Sequence, residues 1–297
     1  MKIGFIGFGE AAFNISLGLS NEGITGIRAF DTMANDATMG RLVHSRSQKA
    51  KVELVDTAVA IAKWADVIFA AVPSSFTLGV CAEIKDFLTS AQLYVDVSAS
   101  TPNTKLQIWE QIKSSGVLFA DAAMLGSLPK DKHKVPITAS GNGAQALKER
   151  MTPYGMKVTL AGEKAGSASA IKLIRSIYMK GIAALMIEML EAATAYEVEQ
   201  EVVASLAKSM DGIAFTSHLD RLVKGTGIHC TRRAAELKGS LQLLADKGIS
   251  SDMTAAAKHR TEALEKYEFA KRFVDKDPEG WKDIIGVLQN EKQLITF

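Results

Sequence analysis

The sequence has few of the residues that mark several large protein classes. Its two cysteines, Cys81 and Cys230, form neither a C-x-x-C pair nor a metal-ligand spacing, so we expect two reduced, buried thiols and no metal site. The formal net charge is only +2 and no basic run stands out, so nucleic acid is not indicated as a partner. A small anionic substrate stays open, because local charge decides its binding.

Long apolar runs are also absent. The first eight residues hold one lysine and a short apolar run without a cleavage site, which is not the pattern of a signal peptide. The longest apolar stretch, residues 181–190, is shorter than the roughly 20 residues that a membrane-spanning helix needs. We therefore expect no membrane partner and a cytoplasmic location.

The first half of the chain alternates short β-branched or aromatic runs with helical patterns. Such alternation predicts an α/β Rossmann domain with a doubly wound parallel sheet. The run at residues 66–72 is continuously apolar, as in a strand buried on both faces. The predicted strands are residues 2–6, 26–30, 50–55, 66–72, 93–97, 117–120, 135–139 and 157–160.

After residue 162 the strand-like runs end and an all-α C-terminal domain is predicted. Length suits two domains, which we place at residues 1–163, binding NAD(P), and 164–297, all-helical. Helical periods cover residues 168–195, 199–210, 231–247, 253–273 and 280–289, with breaks expected at 225–227, 248 and 277–278.

A glycine turn between the first strand and its helix predicts a nicotinamide dinucleotide site. Residues 7–12 fit G-x-G-x-x-G/A, with Gly7 allowing the tight turn and Gly9 letting the backbone approach a pyrophosphate. The phosphates would meet the free amides and positive dipole end of the following helix. Phe8, Glu10 and Ala11 complete the predicted contact segment.

An acidic residue at the end of the second strand favours NAD over NADP. Asp31 lies 22 residues after Gly9, close to the spacing of about 20 at which an acid binds the adenosine ribose hydroxyls. Its charge would repel a 2′-phosphate, although Arg41, His44 and Arg46 could bind one, so NADP is not excluded. Asp31 could instead only cap the next turn.

Two later strand ends extend the predicted cofactor site along the carboxyl edge of the sheet, where ligands bind in such folds. Val72, Pro73 and Ser74 follow a buried strand and would pack against the nicotinamide half. Ser98 follows the next strand. Pro73 could also merely terminate its strand, and the two interpretations are compatible.

Hydroxyl-rich and glycine-containing turns indicate a substrate site at the same edge. Ser98 and Ser100 could hold a carboxylate, or they could belong to a Ser/Thr-Pro helix start. Gly126 and Ser127 end another strand, where the backbone could approach substrate. Lys172 follows a run of small residues that opens the first helix of the second domain.

Four segments in this order resemble the β-hydroxyacid dehydrogenase family, which includes 3-hydroxyisobutyrate and 6-phosphogluconate dehydrogenases. They are the glycine turn and residues 96–102 (family D-x-S-T-x-x-P), 121–127 (D-A-x-x-S-G-G) and 166–172 (G-x-G-x-x-x-K). The resemblance implies a helical domain that forms a homodimer or homotetramer, a cleft active site, and Lys172 as general acid/base. The family asparagine falls on Ser176. With this and other departures from the family motifs, the chain resembles a phosphogluconate-dehydrogenase-like branch of the family.

The expected reaction is an NAD-dependent oxidation of a small β-hydroxy acid, whose proton a buried lysine can accept. An imine reductase is an alternative, although imine reductases usually carry another residue at the position of Lys172. The second alternative is a redox sensor that binds NAD(P) without catalysis. Contacts of Arg175, His229, Arg232 and Arg233 with substrate are left open, because all four could face solvent.

Overall fold

The computed structural model describes residues 1–294, and side chains through Glu291. It divides into two compact units, one of residues Met1–Ile177 and one beginning at Tyr178. The predicted domain boundary after residue 163 falls between the last strand and the long helix α8 (Ser167–Ala195). The boundary between the units lies within this helix, because its first turn bonds to Ser140 and Asp121 of the sheet.

The first unit is built on one eight-stranded sheet. Its order is β3-β2-β1-β4-β5-β6-β7-β8, so the direction of strand succession reverses between β1 and β4. The strands are β1 (Ile3–Ile6), β2 (Ile27–Phe30), β3 (Val52–Leu54), β4 (Val67–Ala70), β5 (Leu93–Asp96), β6 (Leu118–Met124), β7 (Pro136–Ser140) and β8 (Lys157–Leu160).

Helices cover both faces of this sheet, which confirms the predicted Rossmann class. Alternate residues of β1 and β4 enter opposite cores: Phe5 and Phe69 join one apolar cluster, whereas Ile6 and Ile68 join the other. The helices are α1 (Glu10–Asn21), α2 (Gly40–Ala50), α3 (Ala58–Trp64), α4 (Thr77–Ile84), α5 (Pro102–Ile112), α6 (Leu128–Asp131) and α7 (Ala144–Met151).

The sheet is not wholly parallel, because β7 runs antiparallel to β6. The connection between these strands contains only the short helix α6 and the 3-10 turn Lys132–Lys134. A parallel crossover needs about a dozen residues or more, usually with a full helix, so this short link favours the antiparallel return. β6 also extends beyond the predicted residues 117–120.

The second unit is all-helical over the residues described, as predicted. It holds the rest of α8 and the helices α9 (Glu199–Met210), α10 (Phe215–Ile228), α11 (Cys230–Asp246), α12 (Asp252–Glu262), α13 (Phe269–Arg272) and α14 (Trp281–Leu294). No helix within residues 1–294 combines the length and hydropathy needed to cross a membrane.

Three details of the helical prediction are wrong. No helical period was predicted over residues 215–228, where α10 lies. The break expected at residues 225–227 lies inside α10, where Gly227 is buried and an added Cβ would approach Ile284 Cδ1 to 2.9 Å. This glycine therefore permits close helix packing. The single period at residues 253–273 is interrupted by a 3-10 turn at Glu265–Tyr267 and by Glu268, whose φ is +49°.

Candidate functional site

The strand ends that carry the predicted site residues lie in one row. Ile6 pairs with Phe30 and Ala70, and Ala70 pairs with Asp96. The segments that leave these four strands therefore start side by side at the carboxyl edge of the sheet. This edge, at the β1/β4 reversal of strand order, is where open α/β sheets bind ligands.

Gly7 is required by the fold of the turn. Its φ is +85°, and an added Cβ would lie 2.7 Å from both the Ala71 carbonyl oxygen and Val72 Cγ1. Its amide donates a hydrogen bond to the Phe30 carbonyl oxygen at 2.8 Å. Only glycine adopts this conformation without strain while the chain passes so close to the end of β4.

Gly9 is different, because an added Cβ would meet nothing within 4 Å. It is the N-cap residue of α1, and no side chain caps this helix. The first amides of a helix are hydrogen-bond donors without intrahelical partners, and they lie beside the open space at Gly9. Space and donors together fit a phosphate group.

The other residues of the glycine turn contribute in different ways. The Phe8 side chain is fully buried in the core, so only its backbone can contribute to the predicted cofactor contact. Ala11 is half-buried, and Glu10 is exposed in the first turn of α1. Glu10 brings a negative charge near the helix end that would hold phosphate. This charge would repel the phosphate, an effect that the glycine pattern alone does not predict.

Asp31 ties the glycine turn to the end of β2. Its Oδ2 accepts a hydrogen bond from the Phe8 amide at 2.6 Å, and its Oδ1 accepts one from the Met33 amide at 2.8 Å. The bond to Met33 is the turn cap that sequence reasoning left open as an alternative to ribose binding. Each carboxylate oxygen has a further lone pair, so the two roles are compatible.

The segment after β4 lies beside the glycine turn. Val72 is half-buried against Gly7, whereas Pro73 and Ser74 are exposed. The Ser74 carbonyl oxygen accepts a hydrogen bond from Thr77 Oγ1 at 3.1 Å, which anchors the start of α4. Pro73 follows the strand end, so its strand-terminating role coexists with the predicted cofactor contact.

The hydroxyls of Ser98 and Ser100 are bonded within their own turn. Ser98 donates its amide at 2.8 Å and its hydroxyl at 2.5 Å to Asp96 Oδ1. Its Oγ lies 2.7 Å from Ser100 Oγ, and since the Ser98 proton goes to Asp96, Ser100 is the donor of this pair. Both protons are thus used internally, and the predicted carboxylate contact would need a change of partners.

Lys105 is the site residue that the sequence prediction missed. Its side chain is fully buried, and its Nζ donates to Asp96 Oδ1 at 2.6 Å and to the Ser98 carbonyl oxygen at 3.0 Å. Its Nζ is also 3.5 Å from Asp121 Oδ1. One signal was present in the sequence, because Lys105 lies on the same buried stripe of α5 as Ile108 and Ile112.

Asp121 connects this buried group to the first turn of α8. Its Oδ2 accepts the Ser169 amide at 2.9 Å, and its Oδ1 accepts the Ser169 hydroxyl at 2.7 Å. Ser140 Oγ accepts a hydrogen bond from the preceding amide, that of Ala168, at 2.9 Å. A carboxylate beside a helix N-terminus also interacts favourably with the helix dipole, so this turn is firmly anchored.

Lys172 follows Ser169 by three residues on α8, and it is half-buried. Burial lowers the pKa of Lys172, the Lys105 ammonium lowers it further, and Asp121 opposes both. Ser176, one turn later, is also half-buried, whereas Arg175 is exposed. An amine with a lowered pKa at a sheet edge is suited to proton transfer near neutral pH.

Gly126 and Ser127 lie beyond the end of β6. A Cβ on Gly126 would come within 3.0 Å of Val135 Cγ2, so the residue lets this loop pack closely. Ser127 is exposed, and its carbonyl oxygen accepts the Asp131 amide at 2.8 Å. These contacts account for the local fold, and the substrate role of both residues stays a prediction.

The basic cluster of the helical unit has local partners. Arg232 pairs with Glu236 one turn later on α11. Arg233 Nη1 donates to Thr226 Oγ1 at 2.7 Å, and His229 lies at the junction between α10 and α11. Within the described residues, no group of three or more His, Cys, Asp or Glu side chains could hold a metal ion. Cys81 and Cys230 are free and buried.

Two family models match separate parts of the chain. Residues 2–100 match the family described as NADP oxidoreductase, coenzyme F420-dependent. Residues 193–264 match a domain of unknown function, DUF1932. The first match covers the dinucleotide half of the site and ends before Lys105 and Lys172, so it bears on the cofactor rather than on the substrate.

Curated relatives are distant. The chain is 28% identical over 244 residues to an uncharacterised 28.5 kDa protein of Methanothermus fervidus, covering 80% of this chain and 88% of the relative. It is 23% identical over 215 residues to the 2-(hydroxymethyl)glutarate dehydrogenase of Eubacterium barkeri, covering 68% of each.

Solved structures share the architecture over nearly the whole chain. A conserved protein of unknown function, described as similar to 3-hydroxyacid dehydrogenases, is 27% identical, covers 90% of this chain and 97% of its own, and has a TM-score of 0.62. An imine reductase from Pseudomonas sp. is 15% identical, covers 91% and 95%, and has a TM-score of 0.71. A reductive aminase from Aspergillus terreus in a complex with NADPH4 has the same identity and TM-score, covering 89% and 93%.

These findings agree with the site geometry, in which a glycine turn and a lysine with a lowered pKa belong to one Rossmann unit. At this level of identity the imine reductase and aminase likenesses establish the fold alone. The chain is an NAD(P)-binding oxidoreductase of the hydroxyacid dehydrogenase fold, and its resemblance to the β-hydroxyacid dehydrogenase family is confirmed.

Proposed function

We propose that this protein oxidises a small β-hydroxy acid with NAD, and that Lys172 is its general acid/base. The environment of Lys172 carries the proposal. Its amine is half-buried on the anchored first turns of α8, and burial and Lys105 lower its pKa. A solvated surface lysine would be protonated near pH 7 and unable to accept a proton.

The residues of the chain would divide the work of oxidation. A bound nicotinamide supplies the acceptor for the hydride that leaves the substrate carbon. Lys172 Nζ would accept the proton of the substrate hydroxyl, and it would return this proton in the reverse reaction. The Ser176 hydroxyl would replace the family asparagine in contacting the reacting oxygen, and the Gly126–Ser127 backbone would approach the acid group.

NAD is the proposed cofactor because of Asp31. Its carboxylate lies at the end of β2 and is held by the amides of Phe8 and Met33. A fixed negative charge there disfavours a 2′-phosphate and accepts ribose hydroxyls. The matched family description names NADP, and Arg41 and His44 line a hollow beside α2, so both cofactors belong in the test.

A homodimer formed through the helical unit is the proposed assembly. Large apolar side chains are exposed on α8 and α9, as on interaction surfaces: Leu185, Met186, Ile187, Leu190, Val203 and Leu206. A second copy of this chain is the proposed occupant, as the family resemblance implies. We expect Ile187→Asp to halve the mass measured by light scattering, whereas Val274→Asp, at a position that is still more exposed, should not.

The test is a turnover screen of short β-hydroxy acids with NAD and NADP in parallel. The absorbance of the NADH or NADPH formed measures the rate. Reduction of cyclic imines and ketone–amine pairs forms a second arm, because an imine reductase shares this fold. Oxidation of a β-hydroxy acid faster with NAD supports the proposal. Activity confined to imines would replace it, and tight NADH binding without turnover in either arm would favour a redox sensor.

A further inference from the structure

Lys105 carries a buried charge that the proposed reaction does not use directly. Its side chain and those of Asp96 and Asp121 are all fully buried. The three protons of its ammonium have partners, since Nζ donates to Asp96 Oδ1, the Asp96 carbonyl oxygen at 3.2 Å and the Ser98 carbonyl oxygen. A saturated, fully buried ammonium of this kind does not itself reach solvent or substrate.

The cluster formed by Lys105, Asp96 and Asp121 has one ammonium for two carboxylates. Asp96 Oδ2 is buried and has no hydrogen-bond partner within the residues described. Burying ions is costly unless they are paired and bonded, so an arrangement with an excess carboxylate needs a reason beyond stability. A second cation, the Lys172 amine, interacts electrostatically with this cluster, since its charge is repelled by Lys105 and attracted by Asp121.

The cluster also fixes where Lys172 lies. Lys105 holds β5 and β6 together through Asp96, the last residue of β5, and Asp121, in the middle of β6. Asp121 then binds the amide and hydroxyl of Ser169. Since Ser169 and Lys172 are three residues apart, they share one face of α8, and a displacement of Asp121 would move the amine.

We propose that Lys105 is a positioning residue for Lys172: through Asp121 it holds the first turns of α8, and its charge balances that of Asp121 beside the reacting amine. Lys105 and Asp121 are the charged groups that act on Lys172, from α5 and β6 respectively, and they act in opposite directions on its pKa. Without Lys105, Asp121 would act alone and the amine would stay protonated to higher pH. The inference rests on the proposed role of Lys172 but concerns a different residue.

The test uses two variants, because removal of one buried ion can prevent folding. Lys105→Met removes the ammonium. Lys105→Gln with Asp96→Asn removes one charge of each sign and leaves hydrogen-bonding groups in place, which avoids an extra unpaired carboxylate. Lys113→Met is the matched control, because Lys113 ends the same helical segment but is half-exposed and pairs with Glu110.

The first readout needs neither substrate nor cofactor. The rate at which the Lys172 amine reacts with acetic anhydride is measured against pH, using peptide mass spectrometry to resolve each lysine. We expect the midpoint for Lys172 to move upward by about one pH unit in both Lys105 variants and to stay in place in the control. An unchanged midpoint, with only lower stability, would show a purely structural role and overturn the proposal.

The second readout separates this inference from the proposed function. If a substrate is found, kcat near pH 7 should fall roughly 10-fold in the Lys105 variants while NADH affinity is retained, and higher pH should restore part of the rate. If no substrate is turned over, the labelling midpoint still tests Lys105. A shift in the midpoint without any turnover would contradict the proposed reaction and leave the positioning role standing.

Discussion

The two halves of the site are built in opposite ways. At the glycine turn, the proposed phosphate binding depends on the absence of side chains: Gly9 leaves open space, and no side chain caps α1. At the reacting end, the proposed proton transfer depends on a fully buried lysine and two buried carboxylates contributed by separate elements. A phosphate-binding turn can be encoded by a short local pattern, whereas a buried charge group requires the tertiary fold.

The contrast can be tested most strongly at the two glycines. Gly7→Ala places a Cβ 2.7 Å from a backbone oxygen at a φ of +85°, so we expect the free energy of unfolding to fall by about 2–4 kcal/mol. Gly9→Ala has space for its Cβ, so stability should change by less than about 1 kcal/mol. NADH affinity should nevertheless fall more than roughly 10-fold, because the methyl group fills the phosphate position.

Urea unfolding and NADH fluorescence titration measure these two effects separately. Gly79→Ala is the control, because its Cβ also meets nothing within 4 Å but the residue lies in α4. It should retain both stability and affinity. Undiminished NADH binding by Gly9→Ala would contradict the proposal that Gly9 is needed for cofactor binding whereas Gly7 is needed for folding.

A smaller effect is expected for cofactor choice at Asp31. Asp31→Asn removes the charge but keeps one oxygen that can accept an amide hydrogen bond. The ratio of NADPH to NADH affinity should rise by about 10-fold, as the repulsion of the 2′-phosphate is lost. Titrations with both cofactors give the ratio. If the ratio does not change, Asp31 serves only to cap its turn through Met33.

The strand–helix–strand arrangement around the predicted cofactor site was predicted well from the sequence, because its signals are local. Gly7, Gly9 and Asp31 lie within one strand–helix–strand unit, and the sheet registers their strand ends side by side. The antiparallel β7 escaped prediction, since strand direction depends on the length of the link rather than on the strand residues. The break placed at residues 225–227 failed because Gly227 serves packing against Ile284.

The reacting end was predicted only in part. The catalytic role of Lys172 is a prediction from the resemblance to a family motif. Nothing in its neighbouring residues indicates the contacts of Asp121 with Ser169, which are 48 positions apart. Lys105 was missed because lysines in helices are usually solvated. Its place on the stripe with Ile108 and Ile112 becomes informative once that stripe is known to be buried.

The smallest expected effect concerns a buried histidine in the dinucleotide half. His133 is buried against Gly18, and burial lowers its pKa below the ordinary 6.5, against the opposing charge of Glu22. Because the unfolded chain then binds a proton more readily, the free energy of unfolding should fall as pH decreases through about 6.5. Urea unfolding from pH 8 to pH 5 measures this slope.

His133→Gln should flatten that dependence on pH. This variant also serves as a control for rates measured against pH. It separates a loss of folded protein at low pH from a change in the protonation of Lys172. A slope unchanged in the variant would assign the acid sensitivity to other groups.

The most direct test of the central claim compares turnover with cofactor binding in Lys172→Met. The substitution keeps the length of the apolar stem and removes the amine. The account predicts that kcat falls by about 10²–10⁴-fold while NADH affinity is unchanged, and that Lys157→Met, at an exposed position on β8, retains both. Turnover by Lys172→Met at the wild-type rate would contradict the account.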